Sequence, residues 1–324
     1  MRPTFRRLAR PLIERRRRGG LVLLYHRAAN VSPDPWRLAV TPNHLHEHLD
    51  ILARYTRTTT ARKLRASMDR GRIQSGTVLV TFDDGYADLA TEVRPLLDRA
   101  DVPASVFIVS SAIDMNREFW WDALERSLLG TEPLPDRLSL RLGEALREWD
   151  VASVSRDQLH LEVYVAVRSE RPIIRDALAD QVLAWAGLST ESRPSHRTLR
   201  ATELEQLAVD DLVEIGAHTH GHAWLAGLAA DDQRAEIEGG RAELEARIGR
   251  PIDTFAYPHG LSGDIAPDTT EIVREAGFGS AFMSVPGRVH PASDAHALPR
   301  LFVEDQDGES FSELLWQAAG IRAG

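Results

Sequence analysis

The chain of 324 residues contains no cysteine. That absence removes disulfides, thiolate metal sites and cysteine nucleophiles together, and it fits a reducing compartment. Lysine is almost missing too: Lys63 stands alone among 39 basic residues. Schiff-base chemistry is left with one candidate, and no GxxxxGK[ST] phosphate loop occurs. No apolar run approaches the roughly 18 residues that a membrane-spanning helix requires. The opening "MRPTFRRLARPLIERRRRGG" also lacks the apolar core of about 7–15 residues that marks a signal peptide. A cytoplasmic location is the expectation.

Charge is abundant but unevenly placed. The net charge is −9, yet residues 1–20 hold eight arginines against Glu14, or +7, which leaves −16 for the rest. An acidic body argues against nucleic acid as a partner. The basic arm is expected to be a flexible tail, suited to peripheral contact with the anionic inner face of a membrane.

Short apolar runs alternate with amphipathic stretches. Leu21–Tyr25, Val78–Phe82, Ala104–Val109, Val213–Ala217, Thr254–Tyr257 and Leu298–Val303 read as buried strands. His44–Tyr55, Ala87–Ala100, Asp231–Ile248, Thr269–Ala276 and Ser310–Ala319 read as helices, with Pro95 kinking or restarting its own. Such alternation implies a parallel sheet with helices outside it. Between about Met115 and Ala208 no strand stands out, and "FWWDALERSLL", "LGEALREWD", "VYVAVRSE" and "QVLAWAG" all look helical. The expected organisation is a basic arm (1–20), a first half-domain (21–114), a helical insertion (115–208) and a second half-domain (209–324).

Three segments carry chemistry. Asp83-Asp84 follows the apolar run Val78–Phe82, and catalytic groups of α/β folds collect where parallel strands end. "EIGAHTHGHAWL" follows another such strand, and its His218 and His222, four apart, can point at one ion. His220 has the wrong spacing to share their face. Two neutral imidazoles and one carboxylate leave open positions on a divalent cation, as in catalytic rather than closed structural sites. The second carboxylate then lies beside the ion's water, the place for a general base. In "TFAYPHG", Pro258 fixes the preceding backbone, and such a turn can aim the Tyr257 N–H at a developing oxyanion.

In this order, "TFDDG", "HTHGH" and "FAYPHG" resemble the motifs of the polysaccharide deacetylase (NodB-homology) family. "LLYHR" (Leu23–Arg27) and "EFWWDALE" (Glu118–Glu125) are similar to a branch of that family with a helical insertion. The resemblance covers roughly residues 20–112 and 210–305. It implies a distorted (β/α)7 barrel, open on one side, that hydrolyses the N-acetyl group of an amino sugar in a polysaccharide or a lipid-linked or oligosaccharide precursor. The family's base falls on Asp83, its metal ligands on Asp84, His218 and His222, and its oxyanion donor on the backbone of Tyr257. The implied ion is zinc first, with Co²⁺, Ni²⁺ or Mn²⁺ as alternatives. Two departures stand out. The arginine that usually opens the third motif is replaced by Phe255-Ala256, and a later strand ends in Pro299-Arg300 where the family has a histidine acid. Arg300 can steady Asp83 by charge. His26, His259 or His296 can donate the proton, and the strand-end positions of His26 and His259 favour those two.

Other histidines read differently. "HLHEH" (His44–His48) lies mid-helix without a partner carboxylate, while His160 and His196 are isolated and read as solvated. Trp120 and Trp121 read as core. Two competing functions share some of these features. One is a carbohydrate-binding protein that kept the cleft and lost turnover; the other is a non-haem iron oxygenase, which also uses two histidines and a carboxylate.

Overall fold

The computed structural model describes residues 19–320. Residues 1–18 of the basic arm, and with them the membrane contact expected of it, lie outside the described residues. No helix among the described residues is long and apolar enough to cross a membrane.

Seven parallel strands build the main sheet: β1 (Leu21–Tyr25), β2 (Thr77–Phe82), β3 (Ala104–Ile108), β4 (Val213–Ala217), β5 (Thr254–Ala256), β6 (Ser280–Phe282) and β7 (Leu301–Phe302). Their spatial order is β6-β5-β4-β3-β2-β1-β7. β1, β3 and β4 are buried at every position, as strands covered on both faces must be. A short strand, Arg57–Thr59, pairs with the start of β2, and β3 pairs with the end of β2. β6 and β7 meet through a single bridge, Phe282 to Leu298. The sheet therefore curls into a distorted (β/α)7 barrel with a thin seam. Val22, Leu79, Phe107, Ala256, Phe282 and Leu298 fill the interior, and helix Ala61–Asp69 joins the same cluster through Ala61, Leu64 and Met68. That helix meets the beginnings of β3 and β4, where Ala61 N–H donates to Ser105 Oγ and Arg62 N–H to Glu214. One end of the barrel is thereby plugged, and the strand C-termini are left for chemistry.

β6 has no counterpart among the expected strands. Its three residues, Ser-Ala-Phe, form no apolar run and follow Gly277 and Gly279. Pro95 restarts its helix: a widened turn over Leu89–Val93 hands over to an α-helix at Arg94–Ala100. Thr41 caps helix Pro42–Tyr55 by accepting from His44 N–H, with Pro42 in its first turn.

Between β3 and β4 lie helices Trp120–Leu128, Arg156–Arg168, Pro172–Trp185 and Ala201–Leu207. The reading of "LGEALREWD" as helix is corrected. Ala145–Asp150 is a strand, paired antiparallel with Arg137–Leu142. The two-residue turn between them has Gly143 at φ +58, the conformation a II′ hairpin asks of its first central residue. "RLSLRL" alternates, burying Leu138 and Leu140, and this period of two was the available signal. The segment has its own core around Trp121, Leu124, Leu159, Val163 and Val182, and Tyr86 and Val109 join that core from the barrel side.

His160 and His196 are corrected as well, because both are buried. His160 shares a helix face with Val163 and Val167 and packs 5.6 Å from the Trp36 ring, so its apolar stripe carries it inward. His48 is a core residue of helix Pro42–Tyr55, stacked 4.0 Å from Phe311 and bonded through Nε2 to the Gln306 carbonyl at 2.7 Å. Its neighbour His44 pairs with Asp305.

Burial holds the imidazoles of His48 and His160 down at about 4 and that of His196 at about 3. Unfolded histidines titrate near 6.5, so the unfolded chain takes up these protons first. The stability they contribute is complete above pH ~6.5 and is lost as pH falls toward ~4. His48→Gln should therefore cost stability at neutral pH, and its deficit against the parent should shrink by up to about 3 kcal/mol between pH 6.5 and 4. Denaturant titrations across that range measure this; a constant deficit would contradict it.

Candidate metal centre and active site

Two turns at the open end of the barrel bring the acids and histidines together. After β2 the chain turns through Asp84 at φ +75 and Gly85 at φ +107. Neighbouring strands hold this turn: Asp83 N–H donates to the Tyr25 carbonyl, and the Asp84 carbonyl accepts from Val109 N–H. Both aspartates are about 2% exposed, too buried to be a solvated turn. After β4 the chain runs through His218, Thr219 at φ +65 and His222 at φ +53. Gly221 has no room for a side chain, since an added Cβ would lie 2.7 Å from Pro172 Cβ.

His218 Nδ1 lies 2.7 Å from the Ala256 carbonyl. The carbonyl can only accept, so Nδ1 carries the proton and the Nε2 lone pair faces the cleft. Nε2 of His218 and Nε2 of His222 each lie 3.5 Å from Asp84 Oδ1. One ligand atom from each of the three residues falls within 4.8 Å of the others. Tetrahedral bonds of about 2.0–2.1 Å put ligand atoms roughly 3.4 Å apart, so the spacing suits a cation between them better than direct hydrogen bonds. The three buried side chains fit a divalent ion. His220 turns away, half-exposed, toward Ser110 and Glu243.

Asp83 has a different partner. Arg300, fully buried, donates from Nη1 and Nη2 to its two oxygens, both at 2.7 Å. Arg300 is itself held by the Met283 carbonyl at 3.1 Å and Thr81 Oγ1 at 3.3 Å. Burial alone would push the Asp83 carboxyl up, but the Arg300 charge, with His218 and the Arg300 hydrogen bonds, outweighs it and holds the group below the usual carboxylate range. Asp83 thus stays ionised, with Oδ2 3.9 Å from His218 Nε2. The guanidinium that the third motif lacks arrives from the seam of the barrel.

The oxyanion assignment is corrected. Tyr257 N–H donates to the Phe282 carbonyl at 3.1 Å, because the β5–β6 ladder runs one residue past the strand. Its hydroxyl donates to the His296 carbonyl. Pro258 has no N–H, and the next donor is His259, at φ +59, whose N–H has no protein acceptor among the described residues. The His259 ring lies 4.9 Å from that of His222, and its Nε2 is buried without a partner. Burial, with Arg168 and Arg175 nearby, holds its imidazole at about 3. His26, just after β1, also has an unpartnered buried Nδ1; burial lowers its pKa, opposed by Asp84 and Asp83. His296 is corrected as a proton donor, because its Nε2 is bonded to the Phe278 carbonyl at 2.7 Å, away from the aspartates.

Trp121, read only as core, packs its ring 4.6 Å from His222 and donates to Tyr86 Oη at 2.8 Å. It belongs to both the second core and the wall of the site. The iron-oxygenase reading loses its support in the fold, since those sites sit on all-β barrels and this sheet is parallel and covered by helices.

Comparison with known proteins agrees with this geometry. The family model described as polysaccharide deacetylase matches residues 70–137 and 182–281. No curated protein matches the chain. Among solved structures, IcaB from Ammonifex degensii is 18% identical with a TM-score of 0.61, over 94% of this chain and 98% of that one. The Streptococcus pyogenes deacetylase PplD, solved in complex with acetate, is 13% identical with a TM-score of 0.60, over 92% and 98%. The deacetylase domain of BpsB from Bordetella bronchiseptica is 19% identical with a TM-score of 0.53, over 89% and 96%. At these identities the likeness is one of fold.

The ligand geometry predicts one tight divalent-cation site per chain. Asp84→Asn or His218→Ala should abolish stoichiometric Zn²⁺ or Co²⁺ uptake by chelator-stripped protein in calorimetry, and His220→Ala should leave it intact. Equal loss in all three variants would show that the loop fold, not ligation, is being measured.

Proposed function

Because the chain belongs to the polysaccharide deacetylase family, we propose that this enzyme removes the N-acetyl group from an amino sugar, in a polysaccharide or in a lipid-linked or oligosaccharide precursor. The observation that carries the reading is Asp83: a buried carboxylate kept ionised by Arg300 and lying 3.9 Å from His218 in the three-ligand cluster.

Asp84, His218 and His222 would hold the divalent ion, zinc first, with cobalt, nickel or manganese as alternatives. When bound, it supplies Lewis-acid polarisation of the acyl carbonyl and brings the pKa of water down toward ~7. Asp83 accepts a proton from the attacking water. Arg300 occupies one lone pair on each Asp83 oxygen and leaves others for that proton. The N–H of His259 is the donor placed to receive the developing oxyanion. His26 and His259, with unpartnered ring nitrogens beside the acids, are the groups positioned to return a proton to the leaving amine. The ligand set Asp84, His218 and His222 supports the metal, and the family supports an N-acetylated carbohydrate as substrate.

Asp83→Asn should lower acetate release from N-acetylated chito-oligomers by about 10²–10⁴-fold while metal uptake persists. Unchanged release would remove Asp83 from the mechanism. Arg300→Met tests the charge argument. Burial then acts on Asp83 with its main counter-charge gone, so the carboxyl rises and stays protonated to higher pH. Since the ionised form is the active one, the acid limb of kcat/KM should move upward in pH. An acid limb that stays in place would mean that Arg300 does not set the basicity of Asp83.

A further inference from the structure

The loop that carries both histidines is held open from outside the barrel. Four successive carbonyls, of Thr219, His220, Gly221 and His222, each accept a hydrogen bond. The first two take N–H groups of Ser110 and Ser111, in the turn after β3. The last two take one guanidinium: Arg175 Nη2 donates to Gly221 O and Nη1 to His222 O, both at 2.7 Å. Arg175 lies in the first turn of helix Pro172–Trp185, within the segment between β3 and β4, and is about 3% exposed. Its Nε and Nη2 also donate to Asp176 Oδ1, and Asp176 Oδ2 accepts from Arg117. The guanidinium sits 5.2 Å from the Trp120 ring, and the adjacent Trp121 packs on His222. Gly221 N–H donates to Glu236 on the other side.

This arrangement has a consequence for the site. His222 reaches Asp84 only because its backbone stays at φ +53, a conformation a non-glycine residue rarely holds unaided. Both peptide carbonyls flanking that residue end on Arg175. A planar fork can bind the two together and still reach Asp176, whereas an ammonium group has no such fixed geometry.

We propose that Arg175 is the positioning residue of the metal centre, setting the backbone from which His222 presents Nε2 to the ion. The segment between β3 and β4 thereby completes a site whose ligands all come from the barrel. The inference rests on the reading of Asp84, His218 and His222 as metal ligands.

The test is Co²⁺ titration of the chelator-stripped full chain, followed by the d–d absorption band, for the parent, Arg175→Met, Arg175→Lys and His222→Ala. Loss of an outer partner of a ligand weakens metal binding by about 10–100-fold. Arg175→Met is expected to fall in that range with an altered band, and Arg175→Lys to fall between it and the parent. With metal saturating, kcat should drop while KM for substrate stays within about twofold. Should Arg175→Met not fold, Arg175→Lys decides alone, with at least a threefold weakening expected. If His222→Ala loses the Co²⁺ band but both Arg175 variants bind as the parent does, the positioning role is overturned and the metal reading stands. If His222→Ala binds Co²⁺ normally, the metal reading itself has failed. A lowered melting temperature with unchanged affinity and band would assign Arg175 a purely structural role.

Discussion

Two adjacent carboxylates, each about 2% exposed, are the constraint around which the rest of the barrel is organised. Burying one ionised carboxylate is costly and burying two side by side is more so, unless each is met by a positive charge and by hydrogen bonds. The chain meets them separately. Asp83 receives the planar fork of Arg300, and Asp84 is left facing two neutral imidazoles at 3.5 Å. That division assigns the chemistry, because a carboxylate committed to guanidinium cannot also turn to an ion, and one without a cation partner must.

The same pair holds the barrel together where it is weakest. β6 and β7 share a single bridge, and Arg300 stands immediately before β7. From there it binds Asp83 at the end of β2 and the Met283 carbonyl just past β6. Three strand ends therefore converge on one guanidinium. Removing it would leave a buried anion unpaired and the seam unsupported at once, so catalytic and structural roles coincide in Arg300. A second convergence joins the barrel to its insertion. Tyr86, two residues past Asp84, accepts from Trp121 and donates to Asp122, while Trp121 packs on His222. The two cores meet at the metal ligands.

What was legible in the sequence follows from the range of the interactions involved. Strands such as Leu21–Tyr25 and Val213–Ala217 announce themselves because a strand buried on both faces must be apolar throughout. The ligands are legible because Asp84, His218 and His222 sit directly after such strands. β6 was not legible, since three residues, two of them small, carry no period. The hairpin strand "ALREWD" was read as helix because Leu, Glu, Ala and Arg are good helix formers, and pairing with "RLSLRL" overrides that preference. Tyr257 was misassigned by one ladder hydrogen bond, which depends on β6 and could not be seen without it. Arg175 lies 47 residues from His222 in a segment whose only local message is an amphipathic helix.

The proton inventory of the site adds a last constraint. Burial lowers the pKa of His26 and holds His259 at about 3, the latter with help from Arg168 and Arg175, so neither ring carries a spare proton at neutral pH before reaction. A proton needed by the leaving amine must then come from the attacking water by way of the group that first accepts it, and the ionised acceptor in the cleft is Asp83. Arg300 makes that carboxylate a weak base, ready to release what it takes. A strongly basic Asp83 would bind the proton and stop there; one held below the usual carboxylate range passes it on. Under the proposed function, the departure from the family pattern in the third motif and the shortage of a ready acid are thus connected, because the arginine that replaces the missing one also makes the base able to supply the proton the acid lacks.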